Sequence, residues 1–264
     1  MTRMWRSVAP RTLLVVLLAL GCLAGSGAWA AADDCPARNI NARVRVTWVI
    51  DGDTVVLGDG RHLRFIGFNA PERAHADAPA EPFGDAAWVA LKARLPAGAV
   101  LLLEYDRERH DRHGRLLAHA FLADGTNLQA FMLRQGLGLR LTIPPDLRHQ
   151  ACYRAAERLA RRQQRGIWAG PGLPLAIPGS EVRDGGFRLS RGKVTHVRRS
   201  HGGWTLALDN GLLLRIGRGT RNAFRRVDPE RLQGRSVLAR GYIYRRHGRV
   251  WMSITHPDNL QAGE

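Results

Sequence analysis

Three short β-type runs joined by Asp-Gly turns set what this chain can fold into. Residues 43–50 alternate polar and apolar side chains and are rich in β-branched types, which reads as a strand. Asp51-Gly52 is a turn signal, and 55–57 continue into a second strand. Asp59-Gly60 turns the chain again, and 63–68 form a third strand. The stretch 73–82, rich in Ala, Pro and charge, reads as a loop.

Residues 84–95 place Ala87, Trp88, Leu91 and Leu95 on one helical face. Residues 100–103 and 116–122 are further strands, connected by the polar segment 106–114. Leu128, Phe131 and Met132 make the apolar face of a short helix that stops near Gly136. A third helix is expected from about 146 to 165, after Pro144-Pro145 and closed by Gly166. The fold class is therefore mainly β with α: a five-stranded OB-type barrel carrying three helices.

A Pro/Gly-rich linker follows, centred on 171–180. Beyond it, 191–199, 203–209, 211–217, 236–244 and 249–255 read as strands, with Gly202-Gly203 and Asn210-Gly211 as hairpin turns and a short helix at 220–226. This order predicts a second small OB-like β domain at 181–262.

The chain has 264 residues, 45% of them hydrophobic, enough for packed cores. Its net charge is +17 and its pI about 11.4, a balance that suits a polyanionic partner, nucleic acid or an anionic surface. Lys92 and Lys193 are the only lysines; compositional bias accounts for the arginine preference but not for the excess over acids. Residues 178–264 hold 17 Lys+Arg against 7 Asp+Glu, whereas 31–177 hold 20 against 16. In the more basic part, Arg198, Arg199, Arg245 and Arg246 accompany Trp204, Tyr242, Tyr244 and Trp251. Arginines interleaved with aromatics suit a single-strand-binding surface. The plainer reading is a barrel core with a solvated cationic face, with Trp204 and one tyrosine in the core.

The N-terminus reads as a secretory signal: Arg3, Arg6 and Arg11, an apolar run over 13–20, then Ala28-Trp29-Ala30 and a mature start at Ala31. The run is short for a membrane span. Lipidation of Cys22 ranks second, because Ala19 departs from the large aliphatic residue usual at such sites. Export, periplasmic or secreted, leaves Cys35 and Cys152, an even pair that suggests a disulfide in an oxidising compartment; two buried free thiols are the alternative. No Cys-x-x-Cys signals a structural zinc site.

Candidate chemistry gathers in a few motifs. Ile50-Asp51-Gly52-Asp53-Thr54 is followed by Arg64, then by Asn69-Ala70-Pro71-Glu72. Asp111-Arg112-His113-Gly114-Arg115 and Leu133-Arg134-Gln135-Gly136-Leu137 come later, and Gly166-Ile167-Trp168 ends the run. Each alone is an ordinary turn or loop. In this order and spacing, over about 40–170, they resemble the staphylococcal nuclease family.

The resemblance implies a five-stranded OB barrel with three helices and hydrolysis of DNA and RNA with Ca²⁺, leaving 3′-phosphates. By position it implies Asp53, Asn69 and the Ala70 backbone carbonyl as metal ligands, with Asp51 behind them. Glu72 would activate water, Arg64 and Arg115 would clamp the phosphate, and Arg112 and His113 would touch substrate. Those roles suit the chemistry. Attack on a phosphodiester needs a base and charge neutralisation, arginine holds phosphate bidentately, and Ca²⁺ prefers oxygen ligands, another divalent cation being the alternative. Asn69 departs from the family's aspartate and lowers the charge of the site. Ala70 replaces the usual Thr, and Thr142 and Pro144 fall where family members can offer aromatic contacts to the nucleotide. The functional expectation is an exported metal-dependent nuclease with an appended basic domain that docks substrate. The alternatives are a catalytically weak nucleic-acid-binding protein, or an envelope protein that binds anionic surfaces.

Overall fold

The computed structural model describes residues 1–2, 35–74, 79–170 and 186–263. The signal, its cleavage site, Cys22 and the 171–180 linker lie outside the described residues.

Strands β1 (Ala42–Val49), β2 (Thr54–Leu57), β3 (His62–Phe65), β5 (Val100–Glu104) and β6 (Leu116–Phe121) close a barrel in the order β1-β2-β3-β6-β5. Every neighbouring pair is antiparallel except β3 and β6. Alternation along the strands turns Val55, Leu57, Leu63, Phe65, Leu101 and Leu103 inward, all at most 1% exposed. Helix α1 (Gly84–Arg94) caps the barrel with Ala87 and Leu91, and Trp88 donates its indole N–H to the Val49 carbonyl at 2.9 Å. Helix α2 (Leu128–Arg134) starts at Asn127, whose side chain accepts the Ala130 N–H at 2.9 Å. Helix α3 (Gln150–Arg162) packs against α2.

The third strand ends sooner than its apolar run suggests. Gly67, at φ 79°, breaks it, and β4 (Phe68–Asn69) pairs instead with β7 (Leu139–Arg140). Helix α3 starts at Gln150 rather than near 146. The Asp146 carboxylate is engaged with the N–H groups of Arg107 and Glu108 at 2.8 and 2.9 Å, which holds 144–149 against the β5–β6 connection. Cys35 and Cys152 are joined as a disulfide, Cα to Cα 5.6 Å, tying the segment before β1 to α3.

Strands β8 (Phe187–Ser200), β9 (Gly203–Leu208), β10 (Leu213–Gly217), β11 (Ser236–Arg246) and β12 (Arg249–Ser253) repeat the same circuit, with β10 and β12 parallel and β11 returning to β8. A short β13 (Leu260–Ala262) adds to β11. The helix expected at 220–226 is a 3-10 turn over Arg218–Phe224, and Trp204 is only partly buried, its indole reaching Glu230 at 3.2 Å.

The two barrels share a seam. Leu139, Leu141 and Ile167 of the first pack with Phe187, Leu189 and Leu238 of the second. Beside this apolar cluster Glu157 of α3 sits between Arg140 and Arg240, at 3.2 and 2.8 Å. Asn259 and Thr255 bond the Thr142 carbonyl at 2.8 and 3.0 Å.

Candidate active site

Barrel register builds the site. Thr54 lies opposite Arg64 across β2 and β3, so Asp53, one residue before β2, meets the Arg64 side chain. The Asp51 carboxylate accepts the Asp53 N–H at 2.9 Å and shapes the turn. Gly52 is required there: a Cβ would stand 2.6 Å from that of Ala70 and 2.8 Å from that of Ala87.

Asp53 is 1% exposed. One carboxylate oxygen takes the Thr54 hydroxyl at 2.9 Å and the Arg64 guanidinium; the other takes the Ala70 N–H at 2.8 Å. Arg64 also donates to Asn69 Oδ1 at 2.9 Å, and Asn69 Nδ2 donates to the Ala70 carbonyl at 3.0 Å. Burial pushes the Asp53 carboxyl well above its usual range and Asp51 adds to the push, while Arg64 and the Ala70 amide pull the other way. Burial alone would lower Arg64; Asp53, Tyr242, Asp51 and Glu72 together outweigh it and the guanidinium is raised.

Glu72 is exposed, beyond β4. Its backbone is fixed on both sides: Glu72 N–H donates to the Glu81 carboxylate at 3.0 Å, and Glu81 N–H donates to the Glu72 carbonyl at 2.8 Å. Helix α1 begins so close to that carbonyl that a Cβ at Gly84 would overlap it. The other oxygen of Glu81 pairs with Arg188 of β8 at 2.5 Å. Asp111 orders the β5–β6 connection. Its carboxylate accepts the N–H groups of His113 and Arg115 at 2.8 and 3.0 Å and holds Arg115 Nε at 2.7 Å. Arg112 Nε contacts the His113 ring at 3.0 Å, both residues exposed.

Arg64, Asn69, Glu72, Arg112, His113 and Arg115 all line one cleft of about 800 Å³, and Asp53 and Ala70 sit beneath it. The opposite wall comes from the second barrel: Gly186, Phe187, Tyr242, Ile243, Tyr244 and Ser253. Arg198, Arg199, Arg245 and Arg246 are exposed and stand outside that lining. Thr142 is buried, its hydroxyl donating to Gln150 at 2.6 Å. Sequence reading overlooked Glu81, Arg188 and Phe187. None carries a local motif, since what matters in each is a contact made between the barrels.

A family model described as staphylococcal nuclease homologue matches residues 62–170. The thermonuclease of Staphylococcus intermedius is 34% identical over 123 residues, covering 46% of this chain and 72% of its own length. That of Staphylococcus hyicus is 31% identical over 128 residues, 47% of this chain and 75% of its own.

This chain belongs to the staphylococcal nuclease family.

Endonuclease YncB of Bacillus subtilis, 30% identical over 128 residues, spans 47% of this chain and 60% of its own length. Membership makes the chain a nuclease, a hydrolase of ester bonds, and its OB-type first barrel is the family's domain. The family match contains Arg64, Asn69, Glu72 and Arg115 and starts after Asp51 and Asp53.

Three oxygens here are of the kind a hard divalent cation takes, with no sulfur or imidazole among them: the Asp53 carboxylate and Asn69 Oδ1, both engaged by Arg64, and the Ala70 carbonyl, engaged by Asn69 Nδ2. Among the described residues no three His, Cys, Asp or Glu side chains are grouped to hold a metal, so this set relies on neutral oxygens beside one buried carboxylate.

Proposed function

We propose that the protein is an exported, divalent-metal-dependent nuclease, with Ca²⁺ the preferred ion, that hydrolyses DNA, RNA or both to 3′-phosphate ends. The observation that carries the reading is the convergence of Arg64, Glu72 and Arg115 on one cleft, above Asp53, Asn69 and the Ala70 carbonyl.

In this reading Asp53, Asn69 and the Ala70 carbonyl hold the cation, with Asp51 bracing Asp53 through its N–H. The ion, when bound, supplies positive charge that polarises the phosphodiester and lowers the cost of the attacking hydroxide. Glu72 takes the proton of the attacking water. Arg64 keeps two of its donors on Asp53 and Asn69 and has others for a phosphate oxygen, while Arg115, set by Asp111, approaches the same phosphate. Guanidinium groups are suited to this because they meet the negative charge that builds on the phosphoryl oxygens in the transition state. Arg112 and His113 contact the neighbouring backbone.

The second barrel, the more basic part of the mature chain, docks the polyanion. The Cys35–Cys152 bridge supports life in an oxidising compartment, periplasmic or extracellular, after cleavage before Ala31. No helix among the described residues is long and apolar enough to cross a membrane.

The test incubates purified mature protein with single-stranded DNA and with RNA, in Ca²⁺ and in chelator, and types the new ends. Metal-dependent cleavage to 3′-phosphates is expected, and Glu72→Gln should abolish most of it while sparing binding. No metal-dependent cleavage at high enzyme overturns the proposal.

A further inference from the structure

Tyr242 belongs to the second barrel but faces the chemistry of the first. It lies on β11 and lines the same cleft as Arg64, Glu72 and Arg115. Tyrosines packed between two domains are ordinarily covered, yet Tyr242 is 42% exposed. Phe187 packs against it edge to face, centroids 5.5 Å apart at 70°, so an aromatic neighbour positions its ring. Tyr244, two residues on and on the same strand face, also lines the cleft, but its ring is already stacked on Trp251 at 6.4 Å and 17°.

The charges around Tyr242 are those of the candidate site. Partial burial raises its phenol, and the ionisable groups that act on it are Arg64, Asp53, Arg115 and Glu72. Tyr242 is likewise among the groups that act on Arg64. An aromatic ring beside guanidinium groups suits a ligand that carries a flat π face next to a phosphate. Single-stranded nucleic acid is such a ligand, because its bases can leave their neighbours and stack on protein rings, whereas a duplex keeps them covered.

We propose that Tyr242 is a substrate-contacting residue of the nuclease site, on which a base of a single DNA or RNA strand stacks while the adjoining phosphate lies at Arg64 and Arg115. This rests on the nuclease reading and deepens it. The second barrel becomes a wall of the catalytic cleft rather than a remote docking module.

The experiment uses the full mature chain and two substrates of equal length, oligothymidylate and a fully abasic sugar-phosphate chain. Tyr242→Ala should raise KM for oligothymidylate on the order of tenfold with kcat little changed. It should leave KM for the abasic chain unaltered, and Tyr242→Phe, which keeps the ring, should stay near wild type. An unchanged KM for oligothymidylate, or equal losses on both chains, overturns the proposal. If the wild type cleaves neither chain, the nuclease reading has failed on its own. Fluorescence anisotropy then reads the tyrosine separately: weaker oligothymidylate binding in Tyr242→Ala supports the stacking site, and unaltered binding overturns it.

Discussion

Arg240 on β11 and Glu157 on α3 meet across the two barrels, Nη1 to Oε1 at 2.8 Å, with both side chains buried. Arg140 completes the group from the other side at 3.2 Å, and its N–H bonds the same carboxylate at 3.2 Å. One carboxylate thus serves two buried guanidinium groups. The strain of that ratio falls on Arg140, which burial and Arg240 lower to about 10.

Glu157→Gln should therefore destabilise the protein more than loss of one surface ion pair. It strands two buried cations, and breaking such a group costs about 3–5 kcal/mol. The urea midpoint should drop accordingly. A midpoint matching wild type would mean that water reaches the seam and the pairing contributes little.

The same carboxyl sets an acid limit. Burial alone would raise Glu157, but Arg240 and Arg140 outweigh it and hold the group at about 2, against an ordinary 4.5. A depressed folded pKa stabilises fully above the unfolded value and is lost as pH falls through the folded one. Stability should decline between about pH 4.5 and pH 2, by a few kcal/mol from this group. Denaturation midpoints across that window should fall less steeply in Glu157→Gln than in wild type.

Asn69→Asp should raise Ca²⁺ affinity. The substitution adds negative charge to an oxygen set with one buried carboxylate, and ligand charge tunes Ca²⁺ binding. Calorimetric titration of the metal reads it directly. Unchanged or weaker binding would remove Asn69 from the ligand set.

Arg188→Ala should slow turnover more than it weakens binding. Arg188 holds the Glu81 carboxylate, and that carboxylate holds the Glu72 N–H, so the variant loosens one of the contacts that set the proposed base. A fall in kcat with little change in KM, partly restored by Arg188→Lys, is expected. A change in KM alone would make Arg188 a substrate contact instead.

Opening the Cys35–Cys152 bridge should cost about 2–5 kcal/mol. It closes a separation of 117 residues and ties the lead-in to β1 onto α3. Cys35→Ser with Cys152→Ser should lower Tm measurably, and wild type in reductant should match the double variant.

What could be read from sequence was what is local. The alternation in β1, the Asp51-Gly52 turn and the apolar face of α1 each declare themselves within a few residues, and the second barrel's strands do the same. The break of β3 at Gly67 was hidden, because the apolar run continues to Phe68 and only the pairing with β7 splits it. The start of α3 is not visible in the sequence because the Asp146 carboxylate is taken up by a distant loop. The candidate site's first-barrel residues were legible through their order. Its far wall was not: Phe187, Tyr242 and Tyr244 reach the cleft only once Leu139, Leu141 and Ile167 have docked on Phe187, Leu189 and Leu238.

That docked seam has a consequence for how the molecule could be divided. A polypeptide ending near residue 170 would contain every residue proposed for bond cleavage, yet Leu139, Leu141 and Ile167 would face water, and Arg140 and Glu157 would lose their cover. Such a fragment is expected to self-associate rather than work as a miniature enzyme. Freeing the first barrel from the second would therefore require polar replacements at Leu139, Leu141 and Ile167 and a new partner for Glu157.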